Sequence, residues 1–98
     1  MTINTVENGN KLLLELEGRL DTITSKDLEK QLPALDDKDN VVFDFDKLDY
    51  ISSAGLRVVL QAQKKMNAIG GELIIKNASD GIIEVFDMTG FSDILTIE

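Results

Sequence analysis

One stretch constrains the chain more than any other: an apolar strand signal, a short junction and a long amphipathic helix, in that order. Val41-Val42-Phe43-Asp44-Phe45-Asp46 is a short β-branched and aromatic run that reads as a buried strand. From Ser52 or Ser53 the apolar residues recur at helical spacing. Gly55, Val59, Ala62 and Met66 fall on a narrow arc flanked by Leu56 and Ile69, with Arg57, Gln61 and Lys64 opposite. Ile69-Gly70-Gly71 is the stop. Two hydroxyls, Ser52 and Ser53, therefore stand where a helix shows its unpaired N–H groups and positive dipole end. Serine there caps a helix, and the same place seats an anion. Gly55 in the first turn permits close approach of another backbone, which suits a contact surface around the helix start. Val58 and Leu60 lie at the margins of the buried arc, available to a partner or packed under neighbouring loops.

The rest of the chain supplies strands and helices in alternation. Met1–Val6 suits a first strand, and Asn8-Gly9-Asn10 signals a hairpin into Lys11–Glu17, where Leu12, Leu14 and Leu16 share a face. Gly18–Ile23 reads as a loop. Thr24-Ser25-Lys26-Asp27 resembles a capping box with Asp in place of Glu, opening a helix with Leu28, Leu32 and Leu35 in one stripe. Pro33 should kink or stop that helix near Leu32. Asp36–Asn40 is a polar connection. Leu73-Ile74-Ile75 reads as a buried strand, and Ser79-Asp80 begins a third helix carrying Ile82, Ile83, Val85 and Phe86, with Gly90 as its stop. Ile94–Ile97 can form a last strand. The order β-β-α-β-α-β-α-β predicts a small α/β domain over residues 1–98, a mixed sheet with parallel pairing through right-handed crossovers and helices packed against it.

Composition narrows the chemistry. Apolar residues make up 43% of the 98, ordinary for one folded domain, and the net charge is −8 with 18 acidic against 10 basic residues. That balance disfavours nucleic acid and anionic membranes as partners. With neither cysteine nor histidine, disulfides, thiolate nucleophiles, Cys/His zinc sites and imidazole acid–base catalysis are excluded. No signal segment or membrane-length apolar run is present, so the cytoplasm is the expected compartment. Nor is there a phosphate-cradling glycine loop. Asp44-Phe45-Asp46 places two carboxylates on one strand face, but no further ligands accompany them, and they read as solvent-facing or edge-capping groups. An enzyme, a cofactor and a metal centre are all unexpected.

Tyr50-Ile51-Ser52-Ser53-Ala54-Gly55-Leu56-Arg57-Val58-Val59-Leu60 resembles the signature loop and helix of STAS domains of the anti-sigma factor antagonist type. Gly18-Arg19-Leu20-Asp21, Ile69-Gly70-Gly71-Glu72-Leu73 and Phe86-Asp87-Met88-Thr89-Gly90 resemble three further landmarks of that family, in the same order. The resemblance implies a protein that, unphosphorylated, binds an anti-sigma factor, itself an ATP-using serine kinase, and so frees a sigma factor for transcription. Phosphorylation of one serine at the junction ends the interaction, and a metal-dependent serine phosphatase restores it. In the family the acceptor follows an Asp and precedes the glycine by two. Counting back from Gly55 gives Ser53, with Ser52 where the Asp usually stands, so Ser52 is the alternative acceptor. The implied partner surface comprises Asp21, Thr22, Thr24, Ser52, Ala54, Gly55, Arg57 and Val58. Family members commonly add a helix after the last strand; without it, apolar surface near residue 98 would favour self-association, and a monomer or weak dimer is expected. The competing expectation is a STAS subunit that does not switch, a scaffold in a transporter or signalling complex.

Overall fold

The computed structural model describes residues 1–98 and arranges them as a five-stranded mixed sheet with three helices. The strands are β1 (Thr2–Asn8), β2 (Lys11–Leu20), β3 (Asn40–Ile51), β4 (Glu72–Lys76) and β5 (Thr96–Ile97), side by side in chain order. β1 and β2 are antiparallel, joined by a two-residue turn that Gly9 opens at φ +61°. All later pairs are parallel. The helices are α1 (Ser25–Glu29), α2 (Ser53–Ala68) and α3 (Asp80–Thr89). Each crossover moves one strand further in the same direction, so right-handed connections put all three helices on one face.

Burial follows from that layering. On the helix side Leu12, Leu14 and Leu16 of β2, Val41, Phe43 and Phe45 of β3, and Leu73 and Ile75 of β4 are buried against Leu28, Val59, Ala62, Met66, Ile82 and Phe86. The alternate residues Leu13, Val42 and Ile74 face the uncovered side and are only half-buried.

Four sequence expectations change. β3 continues five residues past Asp46, because it carries two more residues than β2 over the shared stretch: Glu15 pairs with Asp44 and Glu17 with Lys47, Gly18 with Leu48 and Arg19 with Tyr50. These bulges convert the buried spacing from every second residue (Val41, Phe43, Phe45) to every third (Phe45, Leu48, Ile51). The Asp44 carboxylate holds the first bulge, accepting from the Asp46 N–H at 3.0 Å and from the Asn77 side chain at 3.1 Å. β2 likewise runs on through Gly18 to Leu20, where a loop is expected from sequence. The helix after it is a single turn. It ends at Glu29, and a separate 3₁₀ turn, Leu32–Leu35, has Pro33 near its start, so Leu28 and Leu35 are buried from two short pieces rather than one helix. Ile69, placed beside the buried arc of α2, is 47% exposed just before the helix stop.

That stop is a glycine pair. Gly70 takes φ +75°, and the Gly71 N–H reaches back to the Met66 carbonyl at 2.8 Å. The chain then enters β4 with the Glu72 N–H on the Asp39 carbonyl at 3.0 Å.

Candidate functional site

Parallel strands bring their C-terminal ends to one edge of the sheet, and there the two singled-out segments meet. Leu20, the last residue of β2, pairs with Ile51, the last of β3, and the Ser52 N–H donates to the Leu20 carbonyl at 2.9 Å. The loop Asp21–Thr24 and the junction Ser52–Arg57 are thereby neighbours.

Gly55 decides how tightly they meet. A Cβ on Gly55 would lie 2.7 Å from Leu20 Cγ, 2.9 Å from the Leu20 carbonyl oxygen and 3.1 Å from Ile51 Cγ1. The backbone that approaches closely is therefore the chain's own, and Gly55 is buried under the end of β2. This corrects the reading of Gly55 as a partner contact. Val58 is corrected with it: the residue is 4% exposed and belongs to the core, so it does not face a partner from this fold.

The two serines divide the work. Ser52, in extended conformation at φ −95° and ψ 173°, is the N-cap of α2, its Oγ accepting from the Gly55 N–H at 3.2 Å. Its carbonyl accepts the first helical bond, from Leu56 at 2.9 Å. Ser53 is the first residue of the helix and is exposed, outside the cap. Ala54 is half-buried. Arg57, one turn on, is exposed, and the chain's three ion pairs leave it free.

Asp21 and Thr24 spend their side chains on their own loop. Asp21 Oδ1 accepts from the Ile23 N–H at 3.0 Å and the Thr24 N–H at 2.9 Å. Thr24 Oγ1 accepts from the Asp21 N–H at 2.8 Å, donates to the Arg19 carbonyl at 2.6 Å and lies 3.0 Å from Asp21 Oδ1. The expected capping box does not form: Thr24 sits at the helix start in αR conformation with no side-chain cap bond, because its hydroxyl faces backwards to β2 and Asp21. Hydrogen bonds from the Thr24 N–H and hydroxyl, aided by the Ile23 N–H and the Arg19 charge, hold the Asp21 carboxyl below its ordinary pKa against an opposing cost of desolvation.

The braced loop presents Thr22 and Ile23 outward, and Ile23 is 79% exposed. Beside it the Arg19 guanidinium lies 4.2 Å from the centre of the Tyr50 ring, across the β2–β3 pair. Sequence reasoning missed Ile23, Arg19 and Tyr50 as surface features. A β-branched residue in a loop of threonines was the available signal for Ile23; the Arg19–Tyr50 stack depends on the bulged register and had none. Taken together, the edge offers an exposed hydroxyl at a helix start, a free guanidinium one turn on, and an apolar loop tip.

The sequence matches the STAS domain family over residues 2–98. It is 40% identical over 88 residues to BtrV of Bordetella bronchiseptica, a candidate anti-sigma factor antagonist, covering 88% of this chain and 76% of that one. It is 28% identical over 98 residues to the anti-sigma-B factor antagonist of Bacillus subtilis, covering 99% and 90%. Among solved structures, the anti-sigma factor antagonist SpoIIAA in its unphosphorylated form superposes with a TM-score of 0.80 over 99% of this chain and 87% of its own, at 18% identity. SpoIIAA from Bacillus in its phosphorylated form superposes at 0.79, also at 18% identity, over 99% and 91%. Those two superpositions show the fold, and the sequence matches show the kinship. The chain belongs to the STAS-domain family of anti-sigma factor antagonists.

Proposed function

We propose that this chain is a phosphorylation-controlled binding protein without catalytic activity of its own. Unmodified, it docks on an anti-sigma factor that is also a serine kinase, through the Asp21–Thr24 loop and the exposed residues of the Ser52–Arg57 junction. Release of the sigma factor follows. Transfer of a phosphoryl group to Ser53 ends the docking, and a metal-dependent serine phosphatase reverses it. The action belongs in the cytoplasm, where sigma factors work; no helix here is long and apolar enough to cross a membrane.

One observation carries the choice of acceptor. Ser53 is exposed at the first position of α2, whereas the Ser52 hydroxyl is engaged as the cap. Where the family pattern has Asp before the acceptor, Ser52 does the same capping work with a neutral oxygen, since Ser and Asp are both favoured N-caps. The substitution therefore leaves the helix start intact. A phosphate on Ser53 adds about −1.5 to −2 charge at the positive end of a helix, where the fold tolerates it. A partner surface packed against the same spot must desolvate that dianion. Kinship with BtrV and the B. subtilis antagonist, and the existence of a phosphorylated form of SpoIIAA, support the same assignment.

The test is incubation with the cognate kinase and ATP, then peptide mapping by mass spectrometry. The expected result is one phosphate, on Ser53, absent from Ser53→Ala and retained in Ser52→Ala. Equal incorporation into wild type and Ser53→Ala would remove Ser53 from the role.

A further inference from the structure

The face of the sheet away from the helices is unpartnered. Across it the pairing aligns one row, Val6, Leu13, Val42 and Ile74, on four adjacent strands. Val6 is 53% exposed and the other three are half-buried. A shallow depression of about 370 Å³ over Leu13 and Val42 leaves room for side chains arriving from outside. The rows on either side are polar: Asn8, Lys11, Asn40 and Glu72 towards one end of the strands, Asn4, Glu15, Asp44 and Lys76 towards the other.

We infer that a second copy of this chain docks here, with a two-fold axis running along the apolar row. Rotation about that axis lays each strand over itself and exchanges the flanking rows. The apolar row then meets itself, Lys11 meets Glu15 on β2, and Glu72 meets Lys76 on β4; Asn40 meets Asp44 and Asn8 meets Asn4, with no like charges opposed. A two-fold parallel to the strands fails the same test, because it sets Glu15 of β2 against Asp44 of β3. The complementarity is therefore a property of one symmetric arrangement, as an isologous interface requires. Packed sheets cross at about 30°, which displaces a flanking row by roughly 3–4 Å, within reach of a lysine side chain.

Size sets the strength. Four strands at about 4.8 Å and three rows at about 6.8 Å cover roughly 400 Å² per copy, half of the ~800 Å² per partner of a standard stable interface. The dimer is weak, populated at high protein concentration. The Ser53 edge lies at the strand ends, outside this face, so the inference stands whether or not Ser53 is a phosphorylation site.

The experiment is sedimentation equilibrium from low micromolar to millimolar protein, at about 0.15 M salt so that repulsion between copies of net charge −8 is screened beyond about 8 Å. Wild type should rise from 10.8 kDa towards twice that mass. Val42→Lys should stay monomeric, Lys11→Glu should weaken association about tenfold, and Lys11→Glu with Glu15→Lys should restore it. Lys11 and Glu15 are exposed, so these variants keep the fold even if Val42→Lys does not. A wild-type monomer at every concentration, masses beyond a dimer, a folded Val42→Lys that dimerises normally, or a double exchange that fails to restore association would each overturn the inference.

Discussion

Gly55 and Ser52 show how little of the junction is free to vary. Any side chain at residue 55 collides with the Leu20 backbone, so either α2 lifts from β2 or the edge spreads. Gly55→Ala should therefore lower unfolding free energy by about 2–3 kcal/mol in urea titration, although alanine is the better helix former. Ser52→Ala removes only the cap bond to Gly55 and should cost about 1 kcal/mol by the same method. The contrast separates tight packing from capping at two residues three apart. It also fixes the meaning of Ser53 beside them, whose side chain contributes to neither.

At the scale of elements, the braced loop makes a prediction of its own. Because the folded Asp21 carboxyl titrates below its ordinary 3.8, its contribution is fully present above that value and is lost as pH falls through the lower, folded pKa. The Ile23 and Thr24 amide resonances should accordingly shift with a midpoint below 3.8, and the Asp21→Asn protein should lose that step. Lys38 is the opposite case. Its ammonium donates to Glu7 at 2.7 Å and lies 3.2 Å from Asp37, tying β1 to the turn before β3, and the Glu7 hydrogen bond raises its pKa over the cost of desolvation. Its contribution persists below 10.5 and fades as pH rises through the higher folded value. A buried lysine in an acidic run carries no pattern in sequence, and Asp36–Asn40 reads simply as a polar connection. The same limit applies elsewhere. Regular periods are legible: the five strands, the β1–β2 hairpin, the parallel pairing of the later strands, α2 with its arc of Val59, Ala62 and Met66, and α3 with its Gly90 stop all follow from spacing. Bulges are not, because inserting one residue into a strand erases the alternation that reveals it, and the strand signal in β3 therefore stops at Asp46. In the candidate site the helix start and the Asp21–Thr24 loop were readable, but the orientation of each side chain was not. Val58, at the margin of the buried arc, is legible from spacing as either packed or available to a partner, and the fold buries it.

For the whole molecule, the folding core and the proposed docking edge are separate regions. Phe43, Phe45 and Phe86 are fully buried between sheet and helices, while Ser53 stands at the rim of the same layers with solvent beside it. Charge added at that rim stands in solvent at a helix N-terminus, so thermal stability should hardly move. A partner that covers the rim experiences the same charge as a desolvation cost. The most direct measurement is titration calorimetry of wild type and Ser53→Asp against the cognate kinase-type anti-sigma factor, with melting curves of both proteins. The expected result is affinity lower by about a hundredfold, equivalent to ~2.7 kcal/mol, with melting temperatures within a few degrees of each other. Undiminished binding by Ser53→Asp, or a loss of binding that comes with a collapse of the melting temperature, would contradict the separation of fold from switch.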